Sequence, residues 1–204
     1  MAKISGGTDI YLIPGDPITN VRAPRMFNKV FERCGLDAVM LPVQVRERDF
    51  AVWLKATFLA RNVKGVIIAP PHKPQVVHLL DSCGLVARVA RSVNIVRRTS
   101  EGQLEGDLFD GEGILGALDW FNIPYRGKRV LILGAGVSAA AIGVSLAQGG
   151  TTQGAEFIAF YDPVPGKAIG LATELDGFFD ANVVAVDSSD PAGYDLVVNA
   201  SAVG

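Results

Sequence analysis

Val130–Leu146 reads VLILGAGVSAAAIGVSL, a stretch without a charged residue. Its length approaches that of a membrane span. The glycines at 134, 136 and 143 and the serines at 138 and 145 dilute it, and it changes character halfway. VLIL reads as a short buried strand and VSAAAIGVSLAQ as a helix. Strand, tight glycine turn and helix therefore describe it better than one continuous span. Lys128–Leu133 and Glu156–Tyr161 are the strands expected on either side of that helix.

Gly134-Ala135-Gly136-Val137-Ser138-Ala139 fits G-x-G-x-x-G/A. The first glycine permits the tight turn. The second lets the backbone approach a pyrophosphate, whose charge the free N–H groups of the helix N-terminus stabilise. These residues are candidate cofactor contacts; a tightly packed βα turn is the competing reading. Asp162 follows FIAFY, where the fingerprint asks for a carboxylate, though beyond the usual spacing. The TTQGAE stretch accounts for the excess. A carboxylate there can bind both ribose hydroxyls and repel a 2′-phosphate. No arginine follows it nearby, and Lys167 is the nearest cation. NAD is the expected cofactor, with NADP the alternative. The plainer reading is that Asp162-Pro163 starts a turn.

Working outward, strands and helices alternate. Asp9–Ile13 is a strand ended by Pro14-Gly15-Asp16-Pro17. Arg25–Cys34 places Met26, Phe27, Val30 and Phe31 at helical spacing, with Gly35 as its C-cap. Ala38–Val43 is a strand. Asp49–Ala60 is a helix with Asp49 as N-cap. Gly65–Ala69 is a buried strand stopped by Pro70-Pro71. Lys73–Cys83 reads as a helix ending at Gly84, Ser92–Arg97 as a strand, and Thr99–Gly102 as a turn. Gly111–Phe121 is a helix, and Leu196–Asn199 a strand. The fold class is α/β, with mostly parallel sheets. Residues 1–110 form an N-terminal substrate domain, 111–127 a linking helix and linker, and 128–204 a Rossmann-type dinucleotide-binding domain. That last stretch is about one βαβαβ half, so the chain is expected to be truncated at its C-terminus.

Among the 204 residues, 49% are hydrophobic and 20% charged, which supports a packed core and excludes a disordered tail. The formal net charge of -2 offers no basic excess for nucleic acid or an acidic membrane. A small-molecule substrate is the expected partner, and a homodimer the assembly to test. Cys34 and Cys83 are the only cysteines and read as two buried free thiols in a reducing cytoplasm. MAKISGGTDIYLI lacks the apolar run of a secretory signal, and the expected location is cytoplasmic. No histidines and carboxylates have metal-ligand spacing, so no metal is expected. Trp53 and Trp120 read as core, and Arg88, Arg91, Arg97 and Arg98 as a loose, solvated basic cluster. His78 reads as structural.

Lys73 follows the strand-end turn Pro70-Pro71-His72, Asn94 lies in SVNIV, and Asp110 ends GDLFD. Ligands of open α/β sheets collect outside the carboxyl ends of strands. A lysine placed there can be partly desolvated, and a neighbouring carboxylate can fix it and tune its pKa. Such a group can exchange a proton with an oxygen as a carbonyl becomes a hydroxyl. From spacing alone, a solvated helix-start lysine and an N-capping aspartate describe the pair better.

Six motifs change that weighting: GDPITNVRAP, GVIIAPPHK, SVNIV, GDLFDGEG, GAGVSAAA and NASAVG, in that order across residues 15–204. Together they resemble the shikimate dehydrogenase family, which reduces 3-dehydroshikimate to shikimate with a nicotinamide cofactor. The resemblance implies Lys73 as proton donor and acceptor. Asp110 would be the carboxylate holding its ammonium and a ring hydroxyl, and Asn94 a substrate-binding residue. His72 would support Lys73. The family's last part, with a substrate-contacting glutamine and a closing helix, has no counterpart before Gly204.

The departures are as informative. The family's two carboxylate-gripping serines fall at Val21 and Ala23, its substrate threonine at Ala69, and the asparagine of N-V-T at Ile67. Val and Ala cannot hydrogen-bond a carboxylate, and leaving one unpaired costs several kcal/mol. Either the substrate carries no carboxylate there, or a group such as Thr19, Asn20 or Arg22 binds it, Arg22 in bidentate fashion. The family's Asn-Arg-Thr signature for a 2′-phosphate falls around Asp162-Pro163-Val164 and is absent. The expected protein is a two-domain oxidoreductase of this type. Quinate or another cyclic polyol is the alternative substrate, and a non-catalytic NAD(P)-binding sensor the alternative function.

Overall fold

A computed structural model describes residues 4–69, 72–148, 154–179, 181–201 and 203. Pro70-Pro71, the first three residues of TTQGAE, and residues 202 and 204 of the final motif lie outside them. The chain forms two compact units, Met1–Gly84 with Ser92–Asp107, and Leu85–Arg91 with Leu108–Gly204.

The first unit holds strands β1 (Asp9–Gly15), β2 (Ala38–Gln44), β3 (Val63–Ile67), β4 (Ser82–Cys83), β5 (Ile95–Arg98) and β6 (Leu104–Asp107), with helices α1 (Ala23–Arg33), α2 (Phe50–Thr57) and α3 (Lys73–Val76). The sheet order is β2-β1-β3-β5-β6-β4. β1 pairs in parallel with both β2 and β3, but β5 runs antiparallel to β3 and β6. β4 pairs in parallel with β6, so the expectation of mostly parallel sheets holds, with β5 as the antiparallel exception. Only a short turn closed by Gly102 (φ 88°) joins β5 to β6, too short for a parallel crossover.

α1 turns Phe27 and Phe31 onto the sheet, while Met26 and Val30 are exposed. It ends at Gly35, whose φ of 65° suits a residue without a Cβ. The Asn28 amide ties α1 to the edge strand. Its Nδ2–H donates to the Met40 carbonyl at 3.0 Å, and its Oδ1 accepts the Met40 N–H at 2.7 Å. The helix expected over 73–83 is shorter. α3 passes into a 3-10 turn at Val77–Leu79, and Ser82–Cys83 joins the sheet beside β6. A Cβ on Gly84 would collide with the Asp107 carboxylate, so glycine is needed where the chain leaves the sheet.

The second unit contains α4 (Leu85–Ala90), α5 (Asp110–Trp120), β7 (Arg129–Leu133), α6 (Val137–Ala147), β8 (Phe157–Tyr161), α7 (Lys167–Asp176), β9 (Asn182–Ala185) and β10 (Leu196–Asn199). Its sheet, β10-β7-β8-β9, is parallel throughout, the arrangement of a Rossmann-type half. Val130, Leu131, Ile132, Ile158, Ala159 and Phe160 are all fully buried, as in strands covered on both faces. α6 is buried from Ala139 to Ala147, which explains its membrane-like composition. No described helix is long and apolar enough to cross a membrane. A Cβ on Gly111 would strike the Ala141 carbonyl and Ser145, and one on Gly143 the Phe160 ring. These glycines let α5 and β8 approach α6.

Trp120 is corrected from core to surface, at 81% exposed. α5 covers Gly111, Ile114, Leu115 and Leu118 at helical spacing, and Trp120 falls off that stripe. No disulfide joins the two cysteines, and the expected burial is corrected: Cys34 is exposed and Cys83 half-buried. Cys34 caps α1 beyond its packed face. Of the arginines, Arg97 pairs with Glu105 at 2.7 Å, and Arg91 with Glu174 at 3.8 Å. His78 is exposed.

Candidate functional site

β3 leaves its sheet at Ile67, and the His72 N–H donates to the Ala69 carbonyl at 3.1 Å just before Lys73 opens α3. The His72 side chain is fully buried. Its ring lies flat on Phe50 of α2, with centroids 4.3 Å apart and planes 6° from parallel. Among the described residues, neither ring nitrogen meets a side-chain or backbone partner within hydrogen-bond geometry. Burial holds the His72 pKa below the ordinary histidine range. The Val45 backbone and the Glu47 and Asp16 carboxylates oppose this without overcoming it. A neutral ring thus anchors the turn directly before Lys73, whose side chain is half-buried. This Phe50 support was missed in sequence, where Phe50 was one apolar residue of a helix.

Asn94 bridges two strand ends with its backbone. Its N–H donates to the Asp107 carbonyl at 3.0 Å, and its carbonyl accepts the Ile68 N–H at 2.8 Å. It precedes β5 instead of lying within it. Because β5 is antiparallel, its start sits with the carboxyl ends of β3 and β6. β1 runs parallel to β3 and ends at the same edge, where the Gln44 amide donates to Asp16 at 2.9 Å. The first unit thereby brings the segment 16–22, Lys73 and Asn94 to one sheet edge. That is the edge where ligands of such sheets collect. Thr19, Asn20 and Arg22 are exposed there, and Arg22 is the residue before α1. Asp110 belongs to the other unit, where it opens α5, an end at which the helix dipole favours an anion.

In the second unit, the Gly134 N–H donates to the Tyr161 carbonyl at 2.7 Å, and Gly134 turns the chain with φ 105°. A Cβ there would lie 3.0 Å from the Ala200 carbonyl and the Ser201 nitrogen. Gly136 faces open space. The first backbone bond within α6 is donated by the Ala140 N–H to the Gly136 carbonyl at 2.9 Å. The N–H groups of Val137, Ser138 and Ala139 therefore precede the helical ladder. Open space above Gly136 and these donors fit the pyrophosphate of a dinucleotide.

Asp162 has a second task that its position in sequence did not reveal. One carboxylate oxygen accepts the Ala135 N–H at 2.9 Å, and the other accepts the Val164 N–H at 2.9 Å. It braces the glycine turn while starting its own. These bonds, the Val164 one foremost, hold its pKa below the usual carboxylate range, so the group is an anion near neutral pH. Each oxygen keeps a further lone pair. No cluster of metal ligands occurs among the described residues.

The profile of the shikimate dehydrogenase substrate binding domain matches residues 13–96. A shikimate dehydrogenase (NADP(+)) of Citrifermentans bemidjiense is 33% identical over 98% of this chain and 70% of its own length. The chain belongs to the shikimate dehydrogenase family. Two solved structures of this fold align closely. A shikimate 5-dehydrogenase from Listeria monocytogenes, in complex with shikimate and NAD, superposes with a TM-score of 0.85 and 25% identity over 98% of this chain and 71% of that one. The 5-ketofructose reductase of a Gluconobacter species gives 0.84 and 30% identity over 97% and 70%. Shikimate dehydrogenase relatives are thus spanned over about 70% of their length.

Proposed function

We propose that this chain is an NAD(P)-dependent oxidoreductase that interconverts a ring carbonyl and the corresponding hydroxyl of a cyclic polyhydroxy compound of the shikimate type. What carries the reading is the coexistence, in one member of this family, of a braced dinucleotide turn and a lysine at the carboxyl edge of the other unit's sheet. The relatives' names point to shikimate as one member of the reacting pair, whose oxidised partner would be 3-dehydroshikimate. The apolar Val21 and Ala23 favour a second reading, a different cyclic hydroxy compound handled by the same chemistry.

NAD(P), when bound, supplies or takes the hydride, and residues 134–139 with Asp162 would hold it. As the carbonyl carbon gains hydride, the Lys73 ammonium passes a proton to the oxygen. In the reverse direction the neutral amine takes that proton back. Asp110 would hold the ammonium and a ring hydroxyl, and Asn94 another polar group of the ring, with Thr19 and Arg22 as outer contacts. Two cysteines not joined in a disulfide suit a reducing compartment, and we place the protein in the cytoplasm. A homodimer is the assembly to test by sedimentation.

Purified protein incubated with shikimate or quinate and either oxidised cofactor should generate reduced nicotinamide. Nucleotide binding without turnover on any cyclic polyol would instead indicate a sensor.

Cofactor choice follows from the Asp162 anion. A 2′-phosphate would sit against a like charge, which costs affinity. NAD is expected to bind about 10-fold more tightly than NADP, and Asp162→Asn to erase most of that ratio. Dissociation constants for both nucleotides on both proteins check this. An NADP preference in the unaltered chain would contradict it.

A further inference from the structure

We infer that the substrate turns an uncharged face, not a carboxylate, toward the sheet edge beside Lys73, so that this chain prefers a neutral polyhydroxy ketone or alcohol. The inference rests on the oxidoreductase reading above and specifies its substrate class.

The floor of that edge is built entirely within the first unit. β1 and β3 are adjacent and parallel, so the segments that leave them emerge together. Val21 and Ala23 follow β1, Ile67 ends β3, and Ala69 lies two residues beyond it. All four pack against one buried cluster of Ile13, Phe31 and Met40, and all four remain half-buried. None carries a side-chain donor. The Ala69 carbonyl accepts the His72 N–H at 3.1 Å, so this hydrocarbon floor runs directly into the turn that carries Lys73. The polar residues of the preceding loop, Thr19, Asn20 and Arg22, are exposed.

A carboxylate laid on such a floor would lose hydration and gain no hydrogen bond there. Pairing it with Lys73 would occupy the group the reaction needs at the carbonyl oxygen. A ring CH or hydroxymethyl group loses far less on the same surface.

The test compares shikimate with its analogue bearing hydroxymethyl in place of the carboxylate, using the same cofactor. The unaltered protein should show a kcat/KM about 10-fold or more higher for the neutral analogue. That factor corresponds to roughly one hydrogen bond to a charged group. Val21→Ser/Ala23→Ser should shift the ratio toward shikimate by a similar factor. Ala23→Ser alone, at the first residue of α1 where serine is tolerated, should shift it the same way if the double variant folds poorly. A higher kcat/KM for shikimate in the unaltered protein would overturn the inference while leaving the oxidoreductase reading intact. Absence of turnover on both compounds, with nucleotide still bound, would overturn both.

Discussion

Lys73→Ala is expected to lower kcat by about 100-fold or more, the range associated with a lost general acid–base group. Nucleotide affinity should stay unchanged, because residues 134–139 belong to the other unit. The fold should persist as well. Lys73 stands at the first position of a short helix whose anchor is the preceding His72, stacked on Phe50. Lys73→Arg is the sharper variant. It keeps a positive charge and a long stem, but a guanidinium does not give up its proton in proteins. If the lysine only attracts an anion, arginine should retain most of the activity. If it transfers a proton, arginine should fail nearly as badly as alanine. Steady-state kinetics with nucleotide titration on the same preparations checks this.

Gly134→Val should reduce nucleotide affinity by about 100-fold or more and lower stability by about 1–3 kcal/mol. Gly134 holds φ 105°, where a β-branched residue is strained, and its Cβ would press on the Ala200 carbonyl at 3.0 Å. Relieving that contact moves the turn braced by Asp162. Gly136→Ala makes the useful contrast. Its φ of -94° suits any residue, and nothing lies within 4 Å of the added carbon. Stability should be almost unchanged while nucleotide affinity falls, because the methyl group enters the space left for the pyrophosphate. Thermal unfolding and nucleotide titration separate the two variants. Equal loss of stability in both would show that the turn matters only for packing.

Much of this architecture is legible in sequence wherever a single period dominates. VLIL, two glycines and an apolar helix could be read directly, because a parallel strand buried on both faces needs an unbroken apolar run. Gly35 marked the end of α1 for an equally local reason. The elements that escaped lack such a signal. β6 is LEGD, and it forms by pairing with β5 more than by apolar alternation. α4, LVARVA, is too short and too uniformly apolar to distinguish helix from strand. Trp120 looked like core because its burial depends on which stripe of α5 meets α6, and Gly111 sets that stripe.

The site divides the same way. Lys73 was read after a strand-end turn and Asn94 within a strand, and the resemblance to the family singled them out; the sheet order explains why positions so far apart in sequence share an edge. The brace from Asp162 to Ala135 depends on a turn geometry that spacing does not encode. The apolar floor joins residues more than forty positions apart, and the pairing of β1 with β3 brings Val21 and Ala69 onto the same buried cluster.

The most direct test of the proton-transfer role is a crystal structure of this chain with oxidised nicotinamide cofactor and a hydroxy substrate that it turns over. The Lys73 Nζ should lie about 2.6–3.2 Å from the oxygen on the carbon that faces the nicotinamide. Lys73 turned toward solvent, with another side chain holding that oxygen, would contradict the account.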